Sequence, residues 1–147
     1  GEIEYPKAEL LCLMLGERPE DITIARDTAP GEVIYGYQAC GMTGRCFIGV
    51  NDALPDCPEA LTRIAPGDTA VFRYVRSDAA WAGIELTCSG KGRVEVLLNG
   101  KVAGTVALTG DGVYNVDSAI AAPAGEAELC LRFIEAGNLT LYKLALR

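Results

Sequence analysis

Residues 93–108 read RVEVLLNGKVAGTVAL, and how they are read decides the fold. Val94, Val96 and Leu98 alternate with Arg93, Glu95 and Leu97, the two-residue period of a strand with one face turned to a core. Asn99-Gly100 then supplies the two positive φ angles of a type I′ turn, whose twist matches that of the strands it joins. The segment is predicted to be a β-hairpin.

The same alternation extends in both directions. WAGIELTCSGKG (81–92) places Ile84, Leu86 and Cys88 on one face and Glu85 and Thr87 on the other, and ends in an expected glycine-bracketed turn. AELCLRF (127–133) sets Leu129, Leu131 and Phe133 inward against Glu128, Cys130 and Arg132. In AGNLTLYKLALR (136–147), Asn138 precedes a run whose even positions Tyr142, Leu144 and Leu146 are large and apolar. Further strands are expected at TAVFRYVR (69–76), VIYGYQ (33–38), RCFIGV (45–50) and AELLCLML (8–15). GERPEDITIARD (16–27) reads either as a short helix opening at Pro19 or as a loop before a strand at ITIA, and β-branched Ile22, Thr23 and Ile24 favour the strand. The 7 Pro and 17 Gly fall largely between these runs. Short strands about ten residues apart, with no sustained helical period, indicate a single all-β domain over residues 1–147, a sandwich or a barrel.

Composition narrows the function. Half of the 147 residues are apolar and 22% are charged, so the chain can bury a core. The net charge of -7 argues against nucleic acid, which needs clustered Lys and Arg. No apolar stretch approaches the roughly 20 residues of a membrane span, so no membrane partner is expected. No secretion signal is visible, and the opening Gly1 leads us to expect a fragment of a larger protein. The six cysteines form no CxxC pair and the chain has no His, which disfavours zinc. Thiols in a reducing, cytoplasmic compartment are favoured, while a disulfide among Cys40, Cys46 and Cys57, and with it secretion, stays open.

Without His there is no Ser–His or Cys–His pair, and no catalytic residue is nominated. Asp52, Asp56, Glu59, Asp68, Asp78 and Asp111 supply carboxylates, read in the first instance as solvated turn residues. No GxGxxG or Walker loop occurs. Aromatic residues at strand ends are more informative. A sugar offers C–H faces that pack on rings and hydroxyls that need amide or carboxylate partners. Phe72, Tyr74 and Phe133 lie within strands and read as core, whereas Tyr35, Tyr37, Trp81 and Tyr114 stand beside turns where they can be displayed.

From about residue 60 onward the chain resembles carbohydrate-binding module family 6, particularly the sandwich appended to glycoside hydrolases of family 43. RIAPGDTAVFRYV (63–75), IELTCSGKGRVEVLLNGKVAGTVAL (84–108), SAIAAPAGEAELCLRF (118–133) and GNLTLYKLALR (137–147) follow one another in the family's order. The resemblance implies a jelly-roll β-sandwich of two antiparallel sheets with no catalysis of its own. It would hold plant-type polysaccharide or oligosaccharide near an adjoining glycoside hydrolase domain. It implies a cleft in which two aromatic rings clasp a sugar and the Asn before the last strand binds its hydroxyls. That Asn is Asn138, an early-loop Tyr matches Tyr35 or Tyr37, and Trp81 and Asp111 complete the candidate carbohydrate-binding residues. Where the family has a Trp, TGDGVYNV (109–116) offers Tyr114. A structural calcium, common in the family, would draw on Glu9 and on the position of Thr140, but a neutral hydroxyl replaces an anionic ligand, so no cofactor is expected. Two alternatives stand beside this reading. Gly137-Asn138 is also good turn chemistry without any ligand. The sandwich can equally be an interaction domain that packs on a catalytic domain and has no sugar site.

Overall fold

The structure, a computed structural model, describes residues 26–27, 33–39, 41–50, 53–57, 59–77, 81–122 and 125–147. The expected strands at 8–15 and ITIA, and Glu9, Cys12, Cys40, Asp52 and Asp78, lie outside the described residues. Ten strands follow in chain order: β1 (Arg26–Asp27), β2 (Val33–Tyr35), β3 (Gly41–Thr43), β4 (Phe47–Val50), β5 (Glu59–Thr62), β6 (Thr69–Ser77), β7 (Trp81–Leu98), β8 (Lys101–Thr109), β9 (Gly112–Ala122) and β10 (Gly125–Leu146). A 3-10 turn at Gly36–Gln38 cuts short the strand expected over 33–38. All pairings are antiparallel except β1 with β6, which is parallel over two residues.

The architecture is a jelly-roll β-sandwich whose layers are joined through its two longest strands. The first half of β7 pairs with β9 and with the last part of β10, which in turn pairs with β2 and β5, and β5 with β4. The second half of β7 pairs with β8 and with the first part of β10, which pairs with β6. β7 and β10 therefore bend together and pass from one layer to the other. Side chains from both layers, among them Ile84, Leu86, Leu141 and Leu144 on one side and Val94, Val96, Leu129 and Phe133 on the other, form one contiguous buried cluster. Each such leucine contributes about 2 kcal/mol by leaving water. Cys88 sits in this cluster, and burial pushes its thiol up to about 12.

The hairpin is as predicted, with Asn99 at φ 50 and Gly100 at φ 82 between paired Leu98 and Lys101. Two expected turns are not turns. At Ser89–Gly92 and at Gly137–Asn138 the chain continues as strand through a bend. The glycines there serve close approach. A Cβ on Gly90 would strike the carbonyl of Asn138 and lie 2.6 Å from its carbon, and one on Gly92 would strike the carbonyl of Glu135.

The expected even-numbered face of β10 is also split. Leu139, Leu141, Leu144 and Leu146 all reach the main core, because the register shifts between Leu141 and Lys143. Tyr142 enters a satellite cluster with Cys57 and Ala60, and its hydroxyl donates to Ser89 Oγ at 3.0 Å.

Candidate functional site

Five passages of the chain between layers line up along one corner of the sandwich. They are the turn from β3 to β4, the loop from β5 to β6, the bends of β10 and β7, and the turn from β8 to β9. Three of the four neighbouring pairs are clipped by groups that a crossing backbone leaves unpaired, and the fourth, the bends of β10 and β7, meet by close approach.

Asp68 performs the first clip. Its carboxylate accepts from Arg45 N at 3.2 Å, Cys46 N at 2.9 Å and Ala65 N at 2.8 Å, and the residue is only 4% exposed. It is therefore a buried tie and not the solvated turn residue expected from its neighbours Pro66 and Gly67. The next tie is to β10, where Gly67 N donates to Phe133 O at 2.7 Å and Phe133 N to Asp68 O at 2.9 Å. At the far end Asp111 Oδ1 accepts from Gly90 N at 3.2 Å, joining the β8–β9 turn to the bend of β7.

Between the β5–β6 loop and the bend of β10 lies an open depression of about 390 Å³, lined by Arg63, Ile64, Asn138, Leu139 and Thr140. Arg63 (φ 53) and Asn138 (φ 51) both hold left-handed backbone, as does only one other non-glycine among the described residues, the hairpin's Asn99. That conformation costs a typical residue about 1–2 kcal/mol, less for Asn. Two such residues facing one depression mark a place where the fold tolerates strain. Asn138 is exposed, and its amide makes no hydrogen bond among the described residues. Ile64 (6% exposed) and Leu139 (2%) form an apolar floor. Thr140 adds a half-buried hydroxyl. The lining thus offers an apolar surface beside an amide, a hydroxyl and a guanidinium, and no carboxylate or nucleophile–base pair. Such a lining can meet both the C–H faces and the hydroxyls of a polyhydroxylated ring.

The other sequence-derived candidates are placed elsewhere. Asp111 shares the corner but is turned onto Gly90. Tyr114 is half-buried against the main core, and its hydroxyl accepts from Thr109 N at 3.0 Å and donates to Gly110 O, closing the β8–β9 turn. Tyr35 packs on the satellite cluster of Cys57, Ala60 and Tyr142, opposite Lys143. Tyr37 stands in the 3-10 turn and Trp81 at the first position of β7, and their side chains lie outside the described set. Leu86 lies opposite both Tyr114 on β9 and Leu144 on β10, and Leu144 lies opposite Ile34, so three strand spacings, about 14 Å, separate Tyr114 from the strand carrying Tyr35. The two tyrosines do not face one another.

Arg63, Ile64 and Leu139 were not singled out from the sequence, nor was Phe47, over whose ring the Arg63 guanidinium lies at 4.6 Å. Their signal is weak. Arg63 directly precedes the IAPGD turn, where a charged residue reads as ordinary solvated loop. Among the described residues, no group of three or more His, Cys, Asp or Glu side chains is placed to hold a metal. At the position where the resemblance puts a calcium ligand, Thr140 contributes only its neutral hydroxyl to the depression.

No protein-family profile matches the chain, and no curated protein sequence matches it. Solved structures do. A glycoside hydrolase family 43 arabinoxylan arabinofuranohydrolase from Bacillus subtilis, in complex with cellotetraose, superposes with a TM-score of 0.68 at 17% identity over 85% of this chain, which spans 28% of that enzyme. A β-1,3-glucan-binding family 6 module from Bacillus halodurans superposes with a TM-score of 0.65 at 16% identity, over 83% of this chain and 99% of that one. A family 6 carbohydrate-binding module from Clostridium cellulolyticum in complex with xylose gives 0.60 at 19% identity, over 82% and 99%. The fold is that of the family 6 carbohydrate-binding modules.

Proposed function

We propose that the chain is a non-catalytic carbohydrate-binding module that holds plant-type polysaccharide beside a glycoside hydrolase. One observation carries the reading: an exposed amide at Asn138, unpartnered among the described residues, lines a depression with an apolar floor at the layer-crossing corner of the sandwich. The fold it shares with modules solved with xylose or described as β-1,3-glucan-binding supports it. Neither His nor a nucleophile–base pair is needed for such a role.

Affinity electrophoresis in gels containing xylan, arabinan or β-glucan tests this. The wild type is retarded in at least one gel, and Asn138→Ala migrates freely in that gel. Equal retardation of the variant places sugar binding elsewhere, with Tyr37→Ala and Tyr114→Ala as the next variants to compare.

A second reading, an interaction domain without a sugar site, is favoured by the packing of Tyr35 and Tyr114 on buried clusters and by β4, an edge strand among the described residues, on which Val50 is 90% exposed and Phe47 is also exposed. On that reading no glycan is bound, and deleting this segment from the parent protein lowers the solubility or turnover of the adjoining hydrolase domain.

A further inference from the structure

The depression carries an uncommitted positive charge. Arg132, Lys143 and Arg147 each pair with a carboxylate, Glu95, Asp56 and Glu85 respectively. Arg63 pairs with none among the described residues. Its only described interaction is with the face of Phe47. The backbone of Phe47 is held opposite Thr62 on β5, its carbonyl accepting from Thr62 Oγ1 at 3.3 Å. Stacking on a ring restrains the guanidinium plane and leaves its edge of N–H donors open. A planar fork of this kind matches the two oxygens of a carboxylate.

The rest of the corner is arranged compatibly. Lys91, exposed and opposite Gly137 on the adjoining strand, is a second cation with no carboxylate partner among the described residues. Of the corner's two tying carboxylates, Asp68 is engaged by Arg45 N, Cys46 N and Ala65 N, and Asp111 by Gly90 N. The net charge of -7 repels an acidic polymer at a distance, but at physiological ionic strength that repulsion is screened beyond about 8 Å. Inside that range the Arg63 guanidinium, which has no carboxylate partner among the described residues, can meet an anion directly.

From this we propose that the depression selects saccharides that carry an oxyanion. Arg63 grips a carboxylate or sulfate on the sugar through its N–H edge, while Asn138 and Thr140 meet neighbouring hydroxyls. The proposal rests on the carbohydrate-binding reading of the same site and assigns its ligand class.

Isothermal titration of the chain against three sets of probes of equal length tests it: neutral xylo- and laminari-oligosaccharides, uronate-bearing oligosaccharides, and sulfated galactan oligosaccharides. At least one anionic set binds about tenfold more tightly than its neutral counterpart. The uronate and sulfate arms tell which oxyanion is preferred. Arg63→Gly, which keeps the left-handed backbone without strain, brings the anionic-to-neutral affinity ratio to about one. Arg63→Lys, with charge but no fork, restores less of the ratio for uronate than for sulfate. Denaturation midpoints confirm that both variants fold. Equal wild-type affinity for neutral and anionic probes, or an unchanged ratio in Arg63→Gly, overturns this proposal and leaves the carbohydrate reading standing. Failure to bind any of these probes, together with free migration in the arabinan gel, overturns both.

Discussion

Asn99 and Gly100, adjacent in sequence, and Asn138 and Gly90, brought together across two strands, have nearly the same backbone: φ 50 and 82 in the first pair, 51 and 88 in the second. Their surroundings differ. At the hairpin, Asn99 Oδ1 accepts from Glu128 N at 2.9 Å and Asn99 N donates to Glu128 O at 2.9 Å, while nothing lies within 4 Å of a Cβ built on Gly100. At the corner, a Cβ on Gly90 would meet the backbone of Asn138 and Gly137, and the Asn138 amide is left to solvent. In the first pair the side chain is spent on the fold and the glycine is needed only for its angles. In the second the glycine is needed for space and the side chain is left over. On the proposed reading it is this amide, without an internal partner among the described residues, that meets the ligand.

The largest effect expected from this contrast is at the glycines. Gly90→Ala adds a steric clash with backbone to an unfavourable φ and should lower stability by about 3 kcal/mol in urea unfolding. Gly100→Ala bears only the angular penalty, about 1 kcal/mol. Equal losses at the two sites would mean that the bends of β7 and β10 are not in contact. Next comes Asn99→Ala, which removes one bond to β10 and should cost about 1 kcal/mol while leaving retardation in polysaccharide gels as in the wild type. Loss of retardation there would erase the distinction between the two asparagines.

A smaller effect provides a control remote from both pairs. Lys143 Nζ lies 2.8 Å from Asp56 Oδ2 and ties the 53–57 segment to β10. The hydrogen bond to Lys143 lowers the Asp56 carboxyl from its usual value of 3.8, and the same bond raises the Lys143 ammonium above 10.5. The depressed acid contributes stability that is full above pH 3.8 and is lost as pH falls through its lower folded value. The raised base contributes stability that is full below pH 10.5 and is lost as pH rises through its higher folded value. Both groups are near the surface, so the change should be slight, and Asp56→Asn should flatten it without altering sugar retention. A large pH effect on retention in that variant would extend the site toward Tyr35.

Much of the sandwich was legible because its strands alternate cleanly. Ile84, Leu86, Cys88, Val94, Val96, Leu129, Leu131 and Phe133 all point where their period puts them. What the pattern hides is where a strand bends. Ser89–Gly92 and Gly137–Asn138 carry residues that suit a turn, and only the opposing backbone, dozens of residues away, shows that they are there to let two strands cross closely. The slip between Leu141 and Lys143 is equally invisible, since apolar residues occupy both phases of the run. Asp68 illustrates the same limit for polar residues: a turn carboxylate and a buried tie look alike until its three N–H donors are in place. Of the residues lining the candidate depression, Asn138 was singled out from its position before the last leucine run. Arg63 and Phe47 were not, because neither is near Asn138 in sequence and their role arises from β5 pairing with both β4 and β10.

The most direct test of the account is Asn138→Gly, titrated with the oligosaccharide that the wild type binds most tightly and checked by urea unfolding. Glycine accepts the left-handed angle without strain and removes only the amide. Asn138→Gly should keep its stability within about 1 kcal/mol of the wild type and lose at least about tenfold in sugar affinity. Unchanged affinity would contradict the account, and would return Asn138 to the role of a bend residue.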